Sequence, residues 1–98
     1  MRMQPKDRKE QILVAAVELS KTGNYTQITR DQIATKAGVA MGLVTHYFST
    51  MVQLRRDVMR YAVRVEIPEI VAQGLAMNDT QAKKAPEYLR RKALESLQ

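Results

Sequence analysis

The chain has 98 residues, a length typical of a single domain with one small core. It contains no cysteine, which excludes a disulfide framework and a thiolate metal site. Residues 1–10 are polar, and no apolar run approaches the length of a membrane span. We therefore expect neither a signal peptide nor a membrane segment, but a cytoplasmic protein.

The net charge of +6 is unevenly distributed along the chain. Residues 1–64 contain eleven lysines and arginines against five acidic residues, whereas residues 65–98 contain five of each sign. All of the excess positive charge lies in the first two-thirds, where a polyanionic partner is expected. Charge alone does not distinguish such a partner from an ordinary solvated surface.

Three helices are predicted in the first half of the chain. Apolar residues at three- and four-residue spacing predict an amphipathic helix from Lys6 to Thr22. Gly23 and Asn24 are expected to end it, because both tolerate a left-handed C-cap conformation. Thr29 is the N-cap candidate of a short second helix that stops before Gly38. Val39 to Phe48 is predicted to be the third helix.

The second half is predicted to be helical as well. A fourth helix runs from about Met51 to Glu66, preceded by Thr50 and Gln53 at the spacing of a capping box. After Pro68 interrupts the pattern, a further helix covers Glu69 to Met77, and the last helix starts near Pro86. Its apolar stripe consists of Leu89, Ala93, Leu94 and Leu97. Because no alternating strand pattern is present, the predicted fold class is all-α.

The segment from Ile28 to Phe48 has the spacing of a helix-turn-helix. This motif needs two short helices, a small residue where they pack closely and a glycine in the turn. Ala34 and Gly38 occupy these positions, and Val39 follows as the residue that fills the corner. Gly42 lies inside the next helix, where glycine costs about 1 kcal/mol relative to alanine. Close approach of a phosphate or another helix to its backbone would offset this cost.

These residues are part of a longer pattern. Its members are Ile12, Leu13, Ala15, Ala16, Leu19, Gly23, Thr29, Ile33, Ala34, Ala37, Gly38, Val39, Gly42, His46, Phe48 and Leu54. In this pattern the chain resembles the N-terminal DNA-binding domain of the TetR family of bacterial repressors, over about residues 8–56. The resemblance implies a helix-turn-helix DNA-binding domain over residues 1–50, with a recognition helix from Ala40 to Tyr47 in the major groove.

The resemblance also implies which side chains contact double-stranded DNA. Met41, Leu43 and Thr45 are expected at base edges, and Thr29, His46 and Tyr47 at phosphates. The set is completed by Ala40 and Gly42 of the recognition helix and by Arg30, with Lys6, Arg8 and Lys9 of an N-terminal arm as further backbone contacts. The chemistry of these residue types agrees, because thymine methyl groups accept apolar contacts and hydroxyl groups suit phosphate oxygens.

The sequence departs from the family pattern in two respects. Ala40 stands where serine or threonine is common, Thr45 where tyrosine is common, and Met51 where lysine is common. About forty residues follow Leu54, fewer than the ligand-binding and dimerisation region that members carry. Residues 51–98 are therefore expected to be a short helical dimerisation region without an effector cavity. The resulting expectation is a homodimeric, nucleoid-associated repressor on a palindromic operator, without a cofactor.

Other interpretations stay open. Met41 and Tyr47 suit packing as well as DNA contact, and the last apolar stripe suits either the core or an interface. The fourth helix carries four arginines that are typical of a solvated face as well as of DNA ligands: Arg55, Arg56, Arg60 and Arg64. An activator, an architectural DNA-binding protein and a helical protein-interaction module are the alternatives to a repressor. An enzyme is not expected, because no nucleophile or carboxylate motif accompanies His46.

Overall fold

A computed structural model describes residues 4–97, and within this range the chain is helical throughout, with no strand. The helices are α1 (Pro5–Thr22), α2 (Arg30–Ala37), α3 (Met41–Tyr47), α4 (Met51–Arg64), α5 (Pro68–Ala76), α6 (Thr80–Lys83) and α7 (Glu87–Glu95). The predicted all-α class is confirmed, and each predicted helix boundary lies within two residues of the observed one.

Two local features differ from the sequence prediction. Gly23 ends α1 with φ −122°, so it does not adopt the expected left-handed conformation, although its N–H donates to Leu19 O at 3.0 Å. The short helix α6 was not predicted, because four residues are too few for a periodic apolar pattern. It begins at an aspartate cap: Asp79 Oδ1 accepts hydrogen bonds from the N–H groups of Gln81 at 2.7 Å and Ala82 at 3.2 Å.

One apolar core extends through both halves of the chain. α1 packs against α2 and α4, and α5 packs against α4 and α7. The large side chains fully buried in this core include Ile12, Ile33, Phe48, Leu54, Ile70 and Leu89. These side chains come from α1, α2, the residue after α3, α4, α5 and α7. The core against which α3 packs therefore includes residues from the second half of the chain. The domain division at residue 50 stays a prediction.

The stripe predicted on the last helix is split between the core and the surface. Leu89 and Ala93 are buried, whereas Leu94 is 55% exposed and Leu97 is 63% exposed. The stripe therefore closes the core of the monomer and also leaves two leucines accessible at the C-terminal end. Among residues 4–97, no helix combines the length and apolar character that crossing a membrane requires.

Candidate nucleic-acid interface

The site begins with the N-terminal cap of α2. Thr29 Oγ1 accepts a hydrogen bond from the Gln32 N–H at 3.2 Å, and Gln32 Oε1 accepts one from the Thr29 N–H at 3.0 Å. This reciprocal pair is a capping box, which satisfies two backbone donors that a helix start leaves free. The predicted N-cap role of Thr29 is confirmed, and its side chain is fixed at the surface edge of the motif.

The turn between α2 and α3 is set by Gly38, as its spacing predicted. Gly38 has φ +71° and ψ +35°, a left-handed conformation that glycine adopts without a steric penalty. The Val39 N–H donates to Ala34 O at 3.0 Å, which closes the turn in the pattern of a Schellman motif. Gln11 on α1 donates from Nε2 to Ala37 O at 3.0 Å and so holds the end of α2 against α1. The direction in which α3 leaves the turn is thereby fixed.

The inner face of α3 anchors the helix in the core. Val44 is fully buried, and Phe48, directly after the helix, is 1% exposed. Leu43 and Tyr47 are partly buried and pack against the same core. Their positions leave them less available to DNA than the resemblance implied, although both retain some exposed surface.

The opposite face of α3 points to solvent. Met41, Gly42, Thr45 and His46 are exposed, and so is Ala40, which precedes the helix as its N-cap without a side-chain cap. Met41 is 51% exposed, which is inconsistent with a role as core filler. Thr45 Oγ1 lies 3.5 Å from Met41 O, a long contact that leaves the hydroxyl group available to a ligand. α3 thus has one face packed into the core and an opposite face that is accessible to a ligand.

Gly42 faces open space. A Cβ atom built at this position would have no atom within 4 Å among the described residues. Among the described residues, no neighbouring helix packs against Gly42. Close packing of another helix therefore does not offset the cost of a glycine at this position. The open space in front of Gly42 would admit close approach of an external molecule to the backbone of α3.

Five of the nine predicted contact residues line one open groove: Thr29, Arg30, Met41, Gly42 and Thr45. The groove lies between the N-terminal ends of α2 and α4 and the outer face of α3. Ala40, Leu43, His46 and Tyr47 do not line this groove. His46 packs edge-on against the Tyr47 ring, with the ring centroids 4.9 Å apart, so these two form a separate pair at the end of α3.

The groove also contains four residues that sequence reasoning did not assign to it: Ile28, Asp31, Met51 and Arg55. Met51 and Arg55 are four residues apart at the start of α4 and so share one face of that helix. That spacing was visible in the sequence, but only the fold brings this face beside α3. The Nε atom of Arg55 is buried and has no hydrogen-bond partner among the described residues.

The charges around the groove are mixed, with a basic excess. Arg30 Nη2 donates to Ser49 O at 3.0 Å, so that this side chain ties α2 to the loop between α3 and α4. Asp31 is the acidic side chain among the described residues of the groove. Lys9 Nζ lies 5.3 Å from the Phe48 ring centroid, which places a positive charge near the end of α3. Lys6, Arg8 and Lys9 belong to the first turns of α1 and do not form a separate arm.

Several acidic residues outside the groove are neutralised within the chain. Glu10, Glu18, Asp57 and Glu87 form salt bridges with Arg64, Lys21, Arg60 and Arg91, respectively. Two of the four arginines of α4, Arg60 and Arg64, are thus engaged with carboxylates. The arginine that faces the groove is Arg55.

Comparison with known proteins agrees with this geometry. The family model of bacterial regulatory proteins of the tetR family matches residues 12–58, which contain α2, α3 and the groove. The chain is 34% identical over 84 residues to the HTH-type transcriptional regulators BetI of Yersinia pestis (strain Pestoides F) and Yersinia pseudotuberculosis serotype O:1b (strain IP 31758). The alignment covers 83% of this chain but 41% of those regulators, so the chain spans less than half of their length.

No solved structure gives a significant match to the chain. The family match nevertheless coincides with the observed helix-turn-helix, including the left-handed turn at Gly38. The family consists of regulatory proteins and not of enzymes. Residues 12–58, which contain this helix-turn-helix, match the TetR family of bacterial regulatory proteins.

Proposed function

We propose that the chain is a sequence-specific DNA-binding transcriptional regulator whose helix α3 lies in the major groove. The observation that carries this proposal is the two-sided character of α3. Val44 anchors one side in the core, while Met41, Gly42 and Thr45 form an exposed face with free space in front of it. The major groove of DNA is wide enough to admit an α-helix, and the exposed side chains of α3 would reach base edges there.

The flanks of this face suit the DNA backbone. On one side, Thr29 and Arg30 stand at the start of α2, where a hydroxyl group and a guanidinium group can reach phosphates. On the other side, His46 and Tyr47 present polar ring edges at the end of α3. The net charge of +6 favours association with DNA and makes binding sensitive to salt.

The regulator is proposed to be a homodimeric repressor on a palindromic operator, in the cytoplasm where the chromosome lies. Support for a dimer comes from the accessible Leu94 and Leu97 at the end of the chain described, since a monomer of this size gains stability by covering apolar surface. A two-fold dimer would present two α3 helices to matching half-sites about one turn of DNA apart.

Selection of bound sequences from a pool of random duplexes tests the proposal. The expected result is one enriched sequence with two-fold symmetry, protected from nuclease cleavage over both half-sites. Sedimentation of the complex should give two chains per duplex, and Leu94→Glu together with Leu97→Glu should reduce this ratio. Enrichment of no sequence would contradict specific binding, and an asymmetric site occupied by one chain would contradict the dimer.

A further inference from the structure

The exposed face of α3 lacks the side chains that usually read guanine. The seven residues of the helix, Met41–Tyr47, include no arginine, lysine, asparagine or glutamine. Arginine and lysine are the usual bidentate partners of guanine, and asparagine and glutamine are those of adenine. Whatever α3 recognises must therefore be read mainly by shape and by apolar contact.

The apolar part of the groove extends beyond α3. Met41 on α3 and Met51 on α4 line the same groove as Gly42, and the space in front of Gly42 is open. Methionine is unbranched and polarisable, so it adapts to small apolar groups of varied position. The missing side chain at Gly42 allows a base edge to approach the helix more closely than alanine would.

The basic groups of the groove are placed for the backbone and not for base edges. Arg30 is held by its hydrogen bond to Ser49 O. Arg55 is partly buried on α4, one helix away from the reading face, with its Nε inside the protein. In the major groove the 5-methyl group of thymine is the apolar feature of the four bases.

We propose that Met41, Gly42 and Thr45 select a half-site rich in A·T pairs by packing against the 5-methyl groups of thymines. This inference rests on the proposed function and specifies which DNA the same site takes. Met51 provides the apolar wall on the α4 side, and the Thr45 hydroxyl group supplies a single hydrogen bond to a neighbouring base. Leu43 is not included in this set, because it is partly buried and packs against the core.

The test replaces single thymines by deoxyuridine in the duplex obtained by selection, which removes one methyl group and leaves base pairing intact. Affinity should fall about fourfold for each contacted methyl group, equivalent to about 0.8 kcal/mol. Deoxyuridine outside the protected half-sites serves as the DNA control and should have no effect.

A protein variant assigns the effect to its side chain. Met41→Ala should bind the thymine duplex more weakly and should lose the sensitivity to deoxyuridine at the position that Met41 contacts, while positions contacted by other side chains keep theirs. Met77→Ala is the matched control, because Met77 is similarly exposed (58%) but lies at the end of α5. This variant should retain the full sensitivity to deoxyuridine.

The outcomes separate this inference from the proposed function. Specific binding to a half-site with fixed guanines and no sensitivity to deoxyuridine would overturn the inference and leave a sequence-specific regulator. The same holds if a fixed guanine is recognised through Arg55, which Arg55→Gln would reveal by loss of that preference. Binding without any sequence preference would overturn both.

Discussion

The hydroxyl group of Tyr25 donates a 2.8 Å hydrogen bond to Asp79 Oδ2, 54 residues further along the chain. Tyr25 is 3% exposed, in the loop between α1 and α2, and Asp79 is the N-cap of α6. Burial raises the pKa of Tyr25 well above its ordinary value, and the hydrogen bond and negative charge of Asp79 raise it further. The second half of the chain thus fixes the loop that leads into the helix-turn-helix.

Removing this hydroxyl group should lower stability without opening a large cavity. For Tyr25→Phe we expect a loss of about 1–2 kcal/mol in the free energy of unfolding, because a hydrogen bond to a carboxylate is lost. Urea denaturation at neutral pH measures the loss. An unchanged unfolding midpoint would show that Asp79 contributes to this part of the fold only as a helix cap.

The same residue predicts a dependence of stability on alkaline pH. The pKa of Tyr25 is raised in the folded chain relative to its ordinary value of 10.0, so its contribution is complete below about pH 10 and declines as the pH rises further. Wild-type protein should therefore lose more stability above pH 10 than Tyr25→Phe does. Parallel stability curves for the two proteins would contradict the assigned proton.

Gly42 and Gly38 should respond in opposite ways to alanine. Gly42→Ala should raise the free energy of unfolding by up to about 1 kcal/mol, because the helix gains a better former and the Cβ meets nothing. The same variant should weaken operator binding, because the added methyl group keeps the DNA away. Gly38→Ala is the control: at φ +71° a side chain is strained, and stability should fall by about 1 kcal/mol or more. Unweakened operator binding by Gly42→Ala would contradict close approach of DNA.

Gln73 on α5 also fixes the loop between α1 and α2, through hydrogen bonds to its backbone. Its Nε2 donates to Ser20 O at 2.8 Å and Gly23 O at 3.2 Å, and its Oε1 accepts from the Tyr25 N–H at 2.9 Å. Gln73→Met keeps the length of the side chain and removes all three bonds. We expect a loss of about 1–3 kcal/mol, because the partly buried Ser20 C=O and Tyr25 N–H lose their hydrogen bonds to this side chain.

Thermal denaturation compares this variant with Gln27→Met, which changes an exposed glutamine in the same loop. The control should change stability by no more than about 0.5 kcal/mol. Equal midpoints for the two variants would show that the hydrogen bonds of Gln73 do not stabilise the loop.

Asp31 offers a test of the electrostatics of the interface. Its carboxylate lines the groove, where it would repel phosphates. Asp31→Asn should therefore raise the affinity for operator and random DNA alike, by a factor of a few at low salt and less at high salt. Asp57→Asn makes the same change of charge on α4, where the carboxylate is paired with Arg60 outside the groove, and should raise affinity less. A larger effect at Asp57 would place the DNA on another face.

Local patterns predicted most of this fold, because short-range interactions determine its helix ends. Thr29 and Gln32 form their capping hydrogen bonds within one helical turn. The left-handed turn after α2 needs a residue that tolerates positive φ, and Gly38 is that residue. Interactions distant in the sequence were not predictable. Nothing in the sequence pairs Gln73 with the carbonyl groups of Ser20 and Gly23, since amide side chains hydrogen-bond to any accessible backbone.

The candidate site was predictable in part for the same reason. The spacing of Met41 and Thr45, four residues apart, places them on one helix face, and the structure agrees. Leu43 was assigned to the bases by resemblance; it is partly buried and packs against the core, and its contact with DNA stays a prediction. Arg55 was left undecided, because its proximity to α3 depends on how α4 crosses the motif.

The central claim is that the outer face of α3 reads bases while its flanks hold the backbone. The affinities of wild-type protein, Thr45→Ala and Tyr47→Ala for the selected operator and for random duplex of equal length, measured by titration at one salt concentration, test it most directly. Thr45→Ala should lose about 1–3 kcal/mol on the operator and almost nothing on random DNA, whereas Tyr47→Ala should weaken both. Equal losses by Thr45→Ala on the two duplexes would show that this face does not read sequence.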